Sequence, residues 1–203
     1  MHRSALVVIP PAEAWPAIQA IRAEHDPSHE RWMPHINLVY GFVPEALFAD
    51  AAAALTAALH GLLPLRIALK EVRRFDHRGS TTVWLEPVSD PPGALSALQA
   101  AAAALFPLCD EQSARGPGFT PHLTIAKLTG SEAEIAAAIK RWRSSWGALE
   151  FTVEAVHLIS RREDEPFAIR ASVPTCPEEQ DSTEGPWGAC RRSAAGRRRR
   201  TSG

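Results

Sequence analysis

With 203 residues, 45% hydrophobic and 22% charged, the chain has the balance of a soluble globular protein, with enough apolar side chains to build a core without disulfides or a structural metal. Its formal net charge is −1; six of its 22 basic and four of its 23 acidic residues fall beyond position 174, so the body stands at about −3 and lacks the basic excess by which proteins grip long nucleic acid. Its three cysteines, Cys109, Cys176 and Cys190, form no zinc-spaced cluster, and the opening MHRSALVVIPP is too short for a signal-peptide core or a membrane span, so a cytoplasmic protein with no membrane partner is expected.

In chain order, residues 4–9 read as a short buried strand stopped by Pro10 and Pro11. Residues 12–24 read as a helix with Trp15, Ile18 and Ile21 on one face, and 35–40 as a strand. An alanine-rich helix follows over 44–60, opened by Pro44 and ended by Gly61. Residues 65–75 and 81–87 read as two strands joined by the tight segment Asp76-His77-Arg78-Gly79. Pro91-Pro92-Gly93 breaks the chain ahead of a helix over 94–106, and a Gly/Pro loop holding Arg115 leads into a strand at 122–128. Ser131, with Glu134 three residues on, is an N-cap for a helix reaching about Trp142. Segments 151–160 and 166–173 then close as a strand pair. Strands that follow one another without an intervening helix pair antiparallel, so the predicted class is α+β. Beyond Pro174 the apolar pattern stops, with Trp187 the one bulky exception. Residues 1–174 are therefore expected to form the domain, and 175–203 a disordered Arg-rich tail, either solvated or in contact with RNA or an acidic surface.

The chemistry is carried by an internal echo. Pro34-His35-Ile36-Asn37-Leu38 returns as Pro121-His122-Leu123-Thr124-Ile125. Side chains alternate along a strand, so His35 and Asn37 share one face while Ile36 and Leu38 take the other; His122 and Thr124 sort against Leu123 and Ile125 in the same way. Each copy thus presents one imidazole and one small hydrogen-bonding group on a strand whose far side is apolar. If the two halves of the chain pack about a pseudo-twofold axis, the two polar faces line one cleft. Two histidines across a phosphate suit general acid–base catalysis, one taking a proton from the attacking oxygen and the other giving one to the leaving oxygen. Asn37 and Thr124 are candidate donors to the non-bridging oxygens, where charge builds up. Tyr40 and Phe42, just after the first copy, are candidates for stacking on a base or for packing. No carboxylate lies at a spacing that would help the two histidines hold a metal, so neither metal nor cofactor is expected.

The pair PHINLVY and PHLTIAK resembles the signature of the 2H phosphoesterase superfamily, two His-x-Thr/Ser-hydrophobic motifs. RFDHRGSTTVWLEP and HLISRREDEPF resemble segments of its 2′-5′ RNA ligase-like members. The resemblance spans roughly residues 4–173. It implies two pseudo-symmetric lobes of antiparallel sheet with outer helices and a central cleft. It also implies His35 and His122 as the acid–base pair, and action on 2′,3′-cyclic phosphates or 2′-5′ linkages of RNA ends or small nucleotides. A monomer is expected. Asn37 departs from the family's Thr or Ser, though its amide also donates, on a longer arm. Two rival readings stand beside this one: a nucleotide- or RNA-binding module that keeps the cleft without turnover, and a protein-interaction scaffold working through the Arg-rich tail.

Overall fold

The computed structural model describes residues 3–62, 64–109 and 118–174. The expectations placed on Arg115, Trp187, Cys176, Cys190 and the 175–203 tail lie outside the described residues.

All five residues of β1 (Ser4–Val8) are buried, as befits an apolar run with a strand on either side. The one-turn 3-10 helix Ala12–Ala14 leads into α1 (Trp15–His25), where the sequence reads as one continuous helix over 12–24. Pro16, which has no N–H to contribute, falls in the first turn of α1, where that N–H would have no partner anyway. β2 (Ile36–Tyr40) follows, then a second 3-10 turn, Glu45–Leu47, and α2 (Phe48–Ala58). β3 (Leu65–His77) and β4 (Ser80–Asp90) form a long hairpin, longer than the pattern suggests, because His77 still pairs with Ser80 and only Arg78 and Gly79 turn. Gly79 has φ +84, a conformation that costs glycine nothing. Next come α3 (Ala94–Leu105), β5 (Leu123–Leu128) and α4 (Glu132–Ser145), the last opened by the Ser131–Glu134 capping box.

The segment predicted as one strand over 151–160 is two strands in two sheets. β6 (Leu149–Val153) pairs with β3, while β7 (Ala155–Ser160) pairs with β1 and with β8 (Ala168–Pro174). The apolar alternation slips by one residue here, from Phe151 and Val153 to Val156 and Leu158, but a bulge within one strand would give the same slip; long-range pairing makes it a change of sheet at Glu154.

The described strands form two antiparallel four-stranded sheets, ordered β2-β1-β7-β8 and β5-β4-β3-β6. The lobes are not sequence halves, as the simplest pseudo-symmetry would have them: the first sheet joins strands from both ends of the chain, the second takes its strands from the middle. The internal echo is instead a unit of strand, helix, strand, helix: β1-α1-β2-α2 and β4-α3-β5-α4. The first helix of each unit packs on the other unit's motif strand, α1 on β5 and α3 on β2. That exchange ties the lobes through one continuous apolar core, in which Leu6, Ile18, Ile36, Leu38, Leu123 and Ile125 are at most 1% exposed. On the other face of the first sheet, a smaller cluster of Ala5, Val7, Ile159 and Phe167 packs against Trp32, Met33 and Tyr40.

Candidate active site

Both motif histidines stand immediately before their strands, β2 and β5, rather than inside them, and each of those strands is the edge of its sheet. Pro34 and Pro121 fit that position, since neither has an N–H to give a ladder. The edges approach each other, and β2 contacts β5 directly.

Each motif strand carries a β-bulge at the same place. Leu6 pairs with Val39 and Val7 with Asn37, which leaves Leu38 as the extra residue; Val83 pairs with Ala126 and Trp84 with Thr124, which leaves Ile125. Both extra residues are the third after the histidine. A bulge shifts the alternation by one position, so the next side chain returned to the cleft is the fifth after the histidine instead of the fourth. In the first motif that is Tyr40 and in the second Lys127, and both line one cavity of about 250 Å³.

His35, Asn37 and Tyr40 reach this cavity from one lobe, and Thr82, Thr124 and Lys127 from the other. Four of the five candidate residues thus border it. His122 is not among its lining residues but lies near enough for its charge to act on His35. Phe42 is a core residue, 6% exposed, and His77 is exposed at the end of β3 and does not line the cavity.

The two imidazoles are anchored alike. His35 Nδ1 lies 2.7 Å from the Met33 carbonyl and His122 Nδ1 lies 2.8 Å from the Thr120 carbonyl, in each case two residues back. A carbonyl only accepts, so Nδ1 carries the hydrogen and Nε2 is the nitrogen left for chemistry. Aromatic rings complete both mounts. Trp32 stacks on His35 with centroids 4.7 Å apart and on Phe167 at 3.6 Å. Phe75 and Trp84 stack on each other and meet His122 edge-on, at 5.2 and 5.9 Å. Burial pushes the His35 imidazole down to about 4; the Arg22 and His122 charges push the same way, against the Met33 carbonyl and Asp26. Burial also lowers His122, opposed by the Thr120 carbonyl. Both rings are therefore neutral bases at neutral pH, until an anion in the cleft favours their charged forms.

The second groups of the two motifs sit differently. The Asn37 amide nitrogen lies 3.1 Å from His35 Nε2, and its Oδ1 is buried without a partner among the described residues. Thr124 lines the cavity from the opposite edge.

Sequence reasoning missed the contribution of α1. Arg22 and Asp26, 2% and 7% exposed, form a buried ion pair at 2.9 Å and line the cavity, because α1 crosses onto β5. The signal was available: Arg22 falls four residues after Ile18, on the helix's apolar stripe, where a charge is costly unless paired. Trp32 and Lys127 were also missed, and Lys127 could not be placed without the bulge. Among the described residues no group of three or more His, Cys, Asp or Glu side chains is arranged to hold a metal ion.

Two four-stranded antiparallel sheets with paired histidines at their facing edges define a bilobal α+β phosphoesterase-type fold. Residues 10–165 match the 2′-5′ RNA ligase superfamily, and the chain belongs to that family. Among solved structures it is similar to TT0787 of Thermus thermophilus, with TM-score 0.53 and 21% identity over 85% of this chain and 97% of that one. It is also similar to E. coli LigT in complex with 3′-AMP, with TM-score 0.56 and 19% identity over 84% and 96% of the two chains. LigT complexed with NADP+ gives TM-score 0.53 and 18% identity, over 85% and 96%. No curated protein matches the chain in sequence.

Proposed function

We propose that the chain is a metal-independent phosphoesterase that opens 2′,3′-cyclic phosphates, or cleaves 2′-5′ linkages, at RNA ends or on small nucleotides, acting as a monomer. The observation that carries this reading is the repeated mount: two imidazoles at facing sheet edges, each with Nδ1 tied to the carbonyl two residues back, so that both present Nε2. Nε2 of one ring takes a proton from the attacking water as its oxygen bonds to phosphorus. Nε2 of the other, protonated once the phosphate's charge is in place, gives its proton to the ribose oxygen as that P–O bond breaks. Lys127 and Thr124, lining the cavity from β5, supply a cation and a hydroxyl to the non-bridging oxygens. Tyr40 also lines the cavity, and in this reading its ring offers a base or ribose a surface to rest on. Family membership supports phosphoester chemistry, and LigT, a protein of the same fold, accommodates 3′-AMP and NADP+.

A second reading, a nucleotide-binding module without turnover, is favoured by the Asn37 amide lying on His35 Nε2, the nitrogen that catalysis needs. The test is turnover of a panel of 2′,3′-cyclic nucleotides and 2′-5′ dinucleotides, with and without EDTA, by the wild type and the His35→Ala and His122→Ala variants. Turnover should survive EDTA, show a bell-shaped pH profile and fall on the order of 100-fold or more in each variant. Loss to EDTA with recovery on adding a divalent metal would overturn the mechanism. Saturable binding without turnover would establish the module.

A further inference from the structure

The Asn37 amide presents a hydrogen-bonding problem whose solution bears on catalysis. With the Met33 carbonyl accepting from Nδ1–H, Nε2 of neutral His35 is a bare acceptor, and Asn37 donates to it through Nδ2. Oδ1 is then left buried with nothing to accept from among the described residues. Once His35 takes a proton at Nε2, Nε2–H and Nδ2–H face each other as two donors, and the bond is lost unless the amide turns over. Turned by a half-rotation about χ2, it places Oδ1 on Nε2–H, which gives the protonated ring an acceptor and Oδ1 a donor, and carries Nδ2 to the place Oδ1 held.

We propose that Asn37 serves His35 rather than the phosphate, as a positioning residue whose amide donates to the neutral ring and reverses to accept from the protonated one. This rests on the acid–base reading of His35 above. An Asn at this position is ambivalent as no charged or apolar side chain can be. It keeps the imidazole in register through both halves of a proton-transfer cycle, and its Nδ2–H must leave Nε2 before that nitrogen can take the substrate's proton. Among the described residues, the other charged or titratable groups around His35 are Arg22 and Asp26 from α1, His122 from the opposite edge, Lys127 across the cavity, and Tyr40 farther along β2. None of these lies between Asn37 and Nε2, which are in direct contact.

The experiment is an NMR pH titration of the free protein, following the His35 imidazole and the Asn37 side-chain amide in the wild type, Asn37→Asp and Asn37→Leu. In the wild type the Asn37 amide signals should shift with the same midpoint as His35. Aspartate, which accepts only and carries charge, should raise the His35 midpoint by about one unit or more; leucine, which offers the charged ring nothing, should lower it. A flat Asn37 amide signal, with the His35 midpoint unmoved in both variants, overturns the proposal. So does a rise in KM for a cyclic nucleotide in Asn37→Leu with the His35 midpoint unmoved, which would return Asn37 to the phosphate. If a variant fails to fold, the wild-type amide titration decides alone. If no substrate turns over, the phosphoesterase reading fails while the titration still decides this one.

Discussion

Lowering the pH should cost the native protein stability through His35, by an amount that follows from its mount. The folded ring titrates at about 4 against 6.5 for an unperturbed imidazole, chiefly because burial penalises its charge. Between those values the unfolded chain binds a proton that the native chain refuses. The His35 contribution is therefore intact above the unfolded value and lost as pH falls toward the folded one. At about 1.4 kcal/mol per pH unit the gap amounts to about 3 kcal/mol, of which about 2 kcal/mol is gone by pH 5. That is a large share of the roughly 5–15 kcal/mol typical of a domain. The perturbation is His35→Gln, which fills similar space and does not titrate. Urea unfolding of both proteins at pH 7, 5 and 4 gives two stability curves. His157, whose imidazole burial also lowers, contributes to both curves and drops out of the difference, and so does His122 apart from its charge interaction with His35. The wild type should lose about 3 kcal/mol more than the variant between pH 7 and pH 4. Parallel curves would show that the native ring accepts its proton freely, and would refute the burial account of His35.

Trp32→Leu removes the ring stacked on His35 and opens it to water, so the His35 midpoint should move up toward 6.5, read by NMR, while turnover falls. Ser131→Ala breaks the capping box of α4, which lines no part of the cavity; urea unfolding should show a loss of about 1 kcal/mol with kcat unchanged. Deleting residues 175–203 should leave the unfolding curve and small-nucleotide turnover nearly intact, because among the described residues β8 is paired with β7 through Ala155–Pro174 and Val173 is already buried. The deletion should weaken binding of long RNA at low salt, since it removes six arginines.

The sequence by itself determined the local chemistry: two prolines placed before two histidines, each followed two residues later by a hydrogen-bonding side chain. It also determined most of the elements, because period-2 and period-3.6 apolar patterns, Gly79 and the Ser131–Glu134 cap act over a few residues. Tertiary structure alone decided which sheet each strand joined. Segment 151–160 carries only a one-residue slip in its apolar alternation, which a bulge would also give, and only long-range pairing sends β6 to β3 and β7 to β1. It decided the bulges at Leu38 and Ile125, which exist only relative to a partner strand and which bring Tyr40 and Lys127 to the cavity. It decided that α1 crosses to β5, carrying the Arg22–Asp26 pair into the cleft. Those outcomes depend on contacts between residues far apart in the chain, and periodicity within a segment does not encode its partner.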